Sequence, residues 1–250
     1  MALAILLSLL SLLIILMIFP ERMIFQPPPW QGMPEKPMLL DAGSEKIAVL
    51  YYPSDSYVIL YSHGNGEDLS SVRHTLQEYH ERGFAVISYD YEGYGASTGK
   101  PSVQGAYRNI EAVYRFLTET EGISPDRILV TGYSVGGGPS CWLASRYPVA
   151  GLILEAPFAS AFQVVLPIAG LPGDRFPNWK HIRDCKAPIL IFHGEKDHVI
   201  PVRNGKKLFA AAPEPKKLIL IPEAGHYNLK KCLGEKYWPA YQKFTEDLKK

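Results

Sequence analysis

Ser134, Asp197 and His226 have the residue types and the chain order needed for nucleophilic catalysis. A serine hydroxyl is a weak nucleophile until a histidine takes its proton. The histidine does this well when a carboxylate fixes its tautomer and stabilises the imidazolium that forms. Ser134 is the centre of Gly132-Tyr133-Ser134-Val135-Gly136, directly after the apolar run at residues 127–131. The run reads as a short buried strand and Val135 onward as the start of a helix. A serine at such a sharp strand-to-helix turn sits on strained backbone, and its close neighbours must lack a bulky Cβ. The turn lifts the hydroxyl above the sheet and puts the Val135 N–H at the positive end of a helix. The pentapeptide by itself arises by chance in roughly one chain in ten of this length, so its context decides.

The acid and the base supply that context. Asp197 closes His193-Gly194-Glu195-Lys196-Asp197, just past the apolar strand at 189–192. His226 closes Pro222-Glu223-Ala224-Gly225-His226, just past a strand ending at Ile221. Catalytic groups of open α/β sheets gather at the carboxyl ends of strands. The order Ser, Asp, His is the one a nucleophile elbow on such a sheet requires. Asp197 also suits capping of the next helix. Asp90, in Tyr89-Asp90-Tyr91-Glu92-Gly93-Tyr94-Gly95, is read as a turn former, because it precedes the nucleophile and follows an earlier strand. Glu155, past the strand at 149–154, is the stronger rival acid, and His198 is not placed as the base. An oxyanion hole needs a second N–H beside that of Val135. His63-Gly64-Asn65-Gly66 follows the strand at 57–62, making the Asn65 N–H the candidate, with Gly66 next to it.

The elements that must position these groups alternate along the chain. Strand-like runs fall at residues 47–52, 57–62, 84–89, 128–131, 149–154, 189–192 and 217–221. Helical spacing falls at 69–82, 103–120, 204–212 and 235–249. Strands alternating with helices of this length imply crossover units and a mostly parallel sheet covered on both faces. One catalytic domain is expected over residues 38–250, with no internal repeat.

Residues 1–19 are different: uncharged, rich in Leu and Ile, with only Ser8 and Ser11 polar. As a helix they span roughly 28 Å, close to a ~30 Å bilayer core. A cleaved signal needs a basic start and a small-x-small exit. Neither precedes Pro20-Glu21-Arg22, so an uncleaved single-pass transmembrane helix is expected, joined by a proline-rich linker at 20–37. Phe25 and Trp30 suit the headgroup belt or a cap on the first strand equally. With 26 basic and 25 acidic side chains and a net charge of +1, nothing points to nucleic acid. Cys141, Cys185 and Cys232 lack paired or zinc-binding spacing.

Together these residues resemble the α/β-hydrolase superfamily. More narrowly they resemble its membrane-anchored Bem46-like serine hydrolases, which include the domain-containing 13 and 17 types, the latter protein depalmitoylases. The motifs carrying the resemblance are His-Gly-Asn-Gly, Asp-Tyr-Glu-Gly-Tyr-Gly-x-Ser, Gly-Tyr-Ser-Val-Gly-Gly, Glu-Ala-Pro-Phe, His-Gly-Glu-Lys-Asp and Gly-His, and they run through essentially the whole chain. The resemblance implies an α/β-hydrolase fold and a Ser134–Asp197–His226 triad. One feature departs from it: depalmitoylase-like members carry a cysteine-rich, lipidated N-terminus, whereas no cysteine here precedes Cys141. In this fold the interval between the strands ending at 154 and starting at 189 usually supplies the lid. Here residues 156–188 hold Phe158, Phe162, Val164, Val165, Leu166, Ile168 and Leu171, apolar enough for an acyl chain and equally suited to core. A lid this short leaves the acyl pocket open or lightly covered.

The activity expected is hydrolysis of an acyl ester or thioester by a monomeric, membrane-anchored serine hydrolase. It acts on an acyl-ester or lipid-like small molecule with no metal or organic cofactor. A serine aminopeptidase would use the same triad but needs an acidic patch for the substrate amine, and the lid interval shows no acidic pair. A non-catalytic, membrane-tethered binding protein would have a broken triad. Dehalogenases and epoxide hydrolases need aspartate at position 134.

Overall fold

The computed structural model describes residues 5, 7, 8, 11, 20–165 and 173–248. The expected membrane helix at 1–19 lies outside them, except for Ile5, Leu7, Ser8 and Ser11, which are helical and exposed. Among the described residues, no helix is long and apolar enough to cross a membrane.

The strands are β1 (Met38–Ala42), β2 (Glu45–Tyr52), β3 (Val58–Ser62), β4 (Ala85–Tyr89), β5 (Ile128–Tyr133), β6 (Gly151–Glu155), β7 (Ile189–Gly194) and β8 (Lys216–Ile221). They form one sheet in the order β1-β2-β4-β3-β5-β6-β7-β8. The β1–β2 and β2–β4 pairs are antiparallel, and every pairing from β4 to β8 is parallel. The sheet is thus mostly parallel, as expected. β3, β4, β6 and β7 are buried along their whole length. This is why they read as continuous apolar runs, as strands covered on both faces do.

The helices α1 (Pro20–Ile24), α2 (Leu69–Glu81), α3 (Val103–Arg115), α4 (Gly137–Ala144), α5 (Ala161–Val165), α6 (Asn178–His181), α7 (Arg203–Ala211), α8 (Leu229–Leu233) and α9 (Tyr237–Asp247) supply the cover. Side chains alternate across a strand, and β3 shows the consequence. Val58 and Leu60 join the core under α3 and α4, while Ile59 and Tyr61 join the core under α2 and α9. Helix starts follow local chemistry. Asp68 caps α2 by accepting from the Ser71 N–H at 2.9 Å, and Ser71 Oγ accepts in return from the Asp68 N–H at 2.8 Å. Ser102 caps α3 through the Gly105 N–H at 2.9 Å.

The structure adds two features to the sequence expectation. β1, an edge strand, begins where the linker was expected to end. Within that linker, Pro20–Ile24 is helical and Phe25 is buried at 4% exposure. Phe25 packs edge-on to Tyr91, Tyr94 and Phe176 at 5.9–6.4 Å, so it neither caps the first strand nor faces outward. Trp30 remains exposed.

Candidate active site

Ser134 is at the junction of β5 and α4 with φ +52, one of three non-glycine residues in the left-handed region among those described. A single helical turn, Ser134–Gly136, precedes α4. Close approach explains the flanking glycines. A Cβ on Gly132 would stand 2.5 Å from Gly136 O, and one on Gly136 would stand 2.1 Å from Ser62 O and 2.8 Å from His63 O. The elbow therefore rests on the end of β3, which pairs Ser62 with Gly132. The loop carrying the candidate donor Asn65 starts beside that contact, at His63.

Asp197 and His226 sit past the ends of adjacent strands β7 and β8, and their loops are sewn together. The Lys196 N–H donates to Ala224 O at 2.9 Å and the Glu195 N–H to Ile221 O at 3.0 Å. Gly194 is needed here, since a Cβ on it would come within 2.3 Å of Ala224 O. Asp197 Oδ1 accepts from the N–H groups of Val199 (2.9 Å) and Ile200 (2.7 Å). Its Oδ2 is left to accept from His226 Nδ1–H at 2.8 Å. The opposite ring nitrogen, Nε2, accepts from Ser134 Oγ–H at 2.9 Å. The structure thus joins all three residues in one hydrogen-bonded chain. They are 5–7% exposed, buried yet reachable. Tyr133 Oη holds the back of the base by donating to His226 O at 3.1 Å, with the rings 5.4 Å apart.

The rival groups are engaged elsewhere. Glu155 Oε1 accepts from the hydroxyls of Tyr237 (2.6 Å), Tyr241 and Tyr79, fastening α9 and α2 to the end of β6. Burial raises its carboxyl above the ordinary carboxylate range. Asp90 is also buried: its Oδ1 accepts from the Leu69 N–H at 2.8 Å and lies 3.6 Å from His63 Nε2. Desolvation pushes Asp90 up to about 7 and His63 down to about 4, so near neutral pH His63 is uncharged and Asp90 is partly protonated. His198 is exposed.

Two contributors were not singled out in the sequence. His193, fully buried, donates Nε2–H to Ile200 O at 2.9 Å and lies 3.6 Å from Asp197 Oδ2. Burial lowers its pKa, keeping it a neutral brace for the acid's loop. Its place at the end of an otherwise apolar strand was the available signal. The second is Tyr91, whose hydroxyl donates to His63 O at 2.6 Å and ties the oxyanion-side loop to the Asp90 loop.

Within the lid interval, Phe158 and Phe162 are buried, which favours the core reading for both. Leu166, Ile168 and Leu171 lie outside the described residues. Residues on the two sides of the interval's undescribed part pair with each other, Phe162 N–H donating to Asp174 Oδ1 and Ala161 N–H to Arg175 O, both at 2.9 Å.

This sheet, with a serine on the elbow after its fifth strand, defines an α/β-hydrolase. A family model described as serine aminopeptidase, S33, matches residues 54–182. The chain is 36% identical over 198 residues to human α/β hydrolase domain-containing protein 17B, covering 77% of this chain and 69% of that one. Mouse α/β hydrolase domain-containing protein 17C is 35% identical over 180 residues, 71% of this chain and 56% of that one. The Pyrococcus furiosus esterase Pf2001 shares the fold with a TM-score of 0.73 at 15% identity, covering 89% of this chain and 99% of that one. The chain belongs to the α/β-hydrolases of the domain-containing protein 17 type.

Proposed function

We propose that the chain is a membrane-anchored serine hydrolase cleaving an acyl ester or thioester through an acyl-Ser134 intermediate. The observation that carries this reading is the unbroken Ser134–His226–Asp197 hydrogen-bonded chain on a left-handed serine. His226 Nε2 takes the hydroxyl proton as Oγ attacks the acyl carbonyl carbon. The carbonyl oxygen becomes an oxyanion, which the N–H groups of Val135 and Asn65 receive. His226 then returns the proton to the departing alkoxide or thiolate, leaving the acyl group on Ser134. A water deprotonated by His226 attacks the acyl carbon and releases the acid and free Ser134. Asp197 remains ionised, holding Nδ1–H and stabilising the imidazolium.

Membrane anchoring rests on the uncharged, Leu- and Ile-rich residues 1–19. A single apolar span there holds the domain beside acyl-bearing substrates. The description of the matched family model favours one alternative, an aminopeptidase on the same triad. Full-length wild type and Ser134→Ala are to be labelled with a fluorophosphonate, then assayed on acyl esters, acyl thioesters and aminoacyl amides. Labelling and ester or thioester turnover lost together in Ser134→Ala is the expected result. Turnover surviving in the variant overturns the mechanism, and amide cleavage alone moves the assignment to the peptidase.

A further inference from the structure

The short stretch after the apolar N-terminal segment reaches into the catalytic edge. Phe25 is buried beneath the Asp90 loop, edge-on to Tyr91 and Tyr94. The next residue contributes its backbone. The Gln26 N–H is shared between Asn65 Oδ1 at 2.8 Å and Tyr94 Oη at 2.9 Å, and Tyr94 Oη–H donates to the same Asn65 Oδ1 at 2.8 Å. These three atoms close a triangle. A backbone N–H only donates, so the Asn65 atom facing it must be the oxygen, and the amide group of that side chain has one orientation. The stretch is held from the other side as well. Phe25 meets Phe176 at 5.9 Å, and Glu21 lies 3.6 Å from Arg175, both past the lid interval's undescribed part.

We propose that residues 20–26 are a positioning element of the oxyanion hole, with Gln26 N–H and Tyr94 Oη fixing Asn65 for the transition state. The inference rests on the acyl-enzyme reading above and deepens it. Asn65 belongs to the six-residue connection 63–68 between β3 and α2, with Gly64 and Gly66 on either side, the latter at φ +74. Within the turn the Gly64 N–H donates to Glu67 Oε2 at 2.6 Å, whereas the Asn65 side chain is held from outside it, by Gln26 and Tyr94. An oxyanion donor acts by being in place before charge develops. A stretch bonded to the Asn65 side chain, itself clamped by Phe25, supplies that rigidity. It also makes the chain segment nearest the apolar N-terminus part of the machinery that sets the rate.

The test uses full-length protein in detergent micelles, with Tyr94→Phe, Gln26→Pro and the double variant. Tyr94→Phe keeps the ring against Phe25 and removes only the hydroxyl; Gln26→Pro removes the N–H. Active sites are counted by fluorophosphonate titration, so turnover refers to folded enzyme. Each single variant is expected to lose about tenfold in kcat with KM within about twofold, less than deleting a donor outright. Affinity for an alkyl boronic acid, which forms a tetrahedral adduct on Ser134, is expected to fall by the same factor. Because both changes break one triangle, the double variant is expected to be no worse than the poorer single. Wild-type kcat and boronate affinity in Tyr94→Phe would overturn the proposal, as would losses that multiply in the double variant. A wild type that fails to label with fluorophosphonate refutes the acyl-enzyme reading instead, whatever Tyr94 does.

Discussion

Asp197→Asn tests the assignment of the acid most sharply, because the surroundings dictate how the new amide must sit. Asp197 Oδ1 accepts two backbone N–H groups, at 2.9 Å from Val199 and 2.7 Å from Ile200. An amide NH2 turned toward them would oppose both donors and leave them unsatisfied, at a cost of about 1–3 kcal/mol each. The stable orientation therefore keeps oxygen on those amides and points NH2 at His226. There it donates to Nδ1, which must give up its hydrogen, and the imidazole proton moves to Nε2. Ser134 Oγ then faces a donor where it needs an acceptor. Recovering the active tautomer requires the amide flip, about 2–6 kcal/mol in all, or a loss of roughly 30- to 10⁴-fold. Losing the negative charge that stabilises the imidazolium adds to this, so the expectation is kcat lower by about 10³- to 10⁴-fold. The assay is kcat on a short p-nitrophenyl ester between pH 6 and 9, with thermal melting to show that the fold persists. Glu155→Gln is the control. Its oxygen still accepts from Tyr237 and Tyr241, so turnover is expected within a few-fold of wild type. Asp197→Asn within tenfold of wild type, or an equal loss in Glu155→Gln, refutes the assignment.

Gly136→Ala would press a Cβ to 2.1 Å from Ser62 O, a backbone atom that cannot swing aside. A loss of about 3 kcal/mol is expected, lowering Tm by roughly 6–12 °C, and an unchanged melting curve refutes the close approach. Glu155→Ala strips the acceptor from the buried Tyr237 and Tyr241 hydroxyls, while Tyr79 keeps Tyr241 Oη at 2.8 Å. A cost of about 3 kcal/mol is expected, with hydrogen exchange accelerating in Tyr237–Asp247 before β5; uniform acceleration would contradict the fastening role. Asp90, raised from 3.8 to about 7, keeps a proton in the folded state that the unfolded chain has released. Its stabilising contribution is therefore complete below pH 3.8 and lost as pH rises through 7. Stability of wild type relative to Asp90→Asn, measured by urea unfolding, should fall by up to about 4 kcal/mol between pH 4 and pH 8; a flat difference shows the carboxyl is not so raised.

How much of this was legible in the sequence depended on whether a constraint was local. β3, β6 and β7 are sandwiched between helices, so burial on both faces wrote them as apolar runs that could be read directly. β1 could not be read that way. Met38 and Leu39 are exposed at an edge, and the strand is fixed by pairing with β2 rather than by its own pattern. Ser134, Asp197 and His226 were legible because each follows the carboxyl end of a strand, and catalytic groups of open α/β sheets gather at that edge. Asp197 turned out to bond nearby backbone amides as well as His226, so the local and catalytic readings of that residue were never exclusive. The supports were hidden. Gln26 reaches Asn65 across 39 positions and Tyr94 reaches it across 29, with no periodicity to announce either contact. Residues 20–37 read as a linker because they are rich in proline, which says nothing about docking and does not exclude the helical turn that Pro20 opens.

The same separation between local and remote constraint explains how the edge is kept ready for reaction. Each catalytic group is oriented by partners that have only one way to bond. Two amides take one oxygen of Asp197 and leave the other for His226; the Tyr133 hydroxyl takes the His226 carbonyl; the contact between Gly136 and the end of β3 fixes the serine turn. None of these arrangements depends on a substrate being present. They are built by the folding of the chain itself. The loop at Asn65 is tied in addition through Tyr91, Tyr94 and Gln26. On the reading proposed above, Asn65 is thus a donor whose side-chain contacts, to Gln26 and Tyr94, are not shared with the nucleophile.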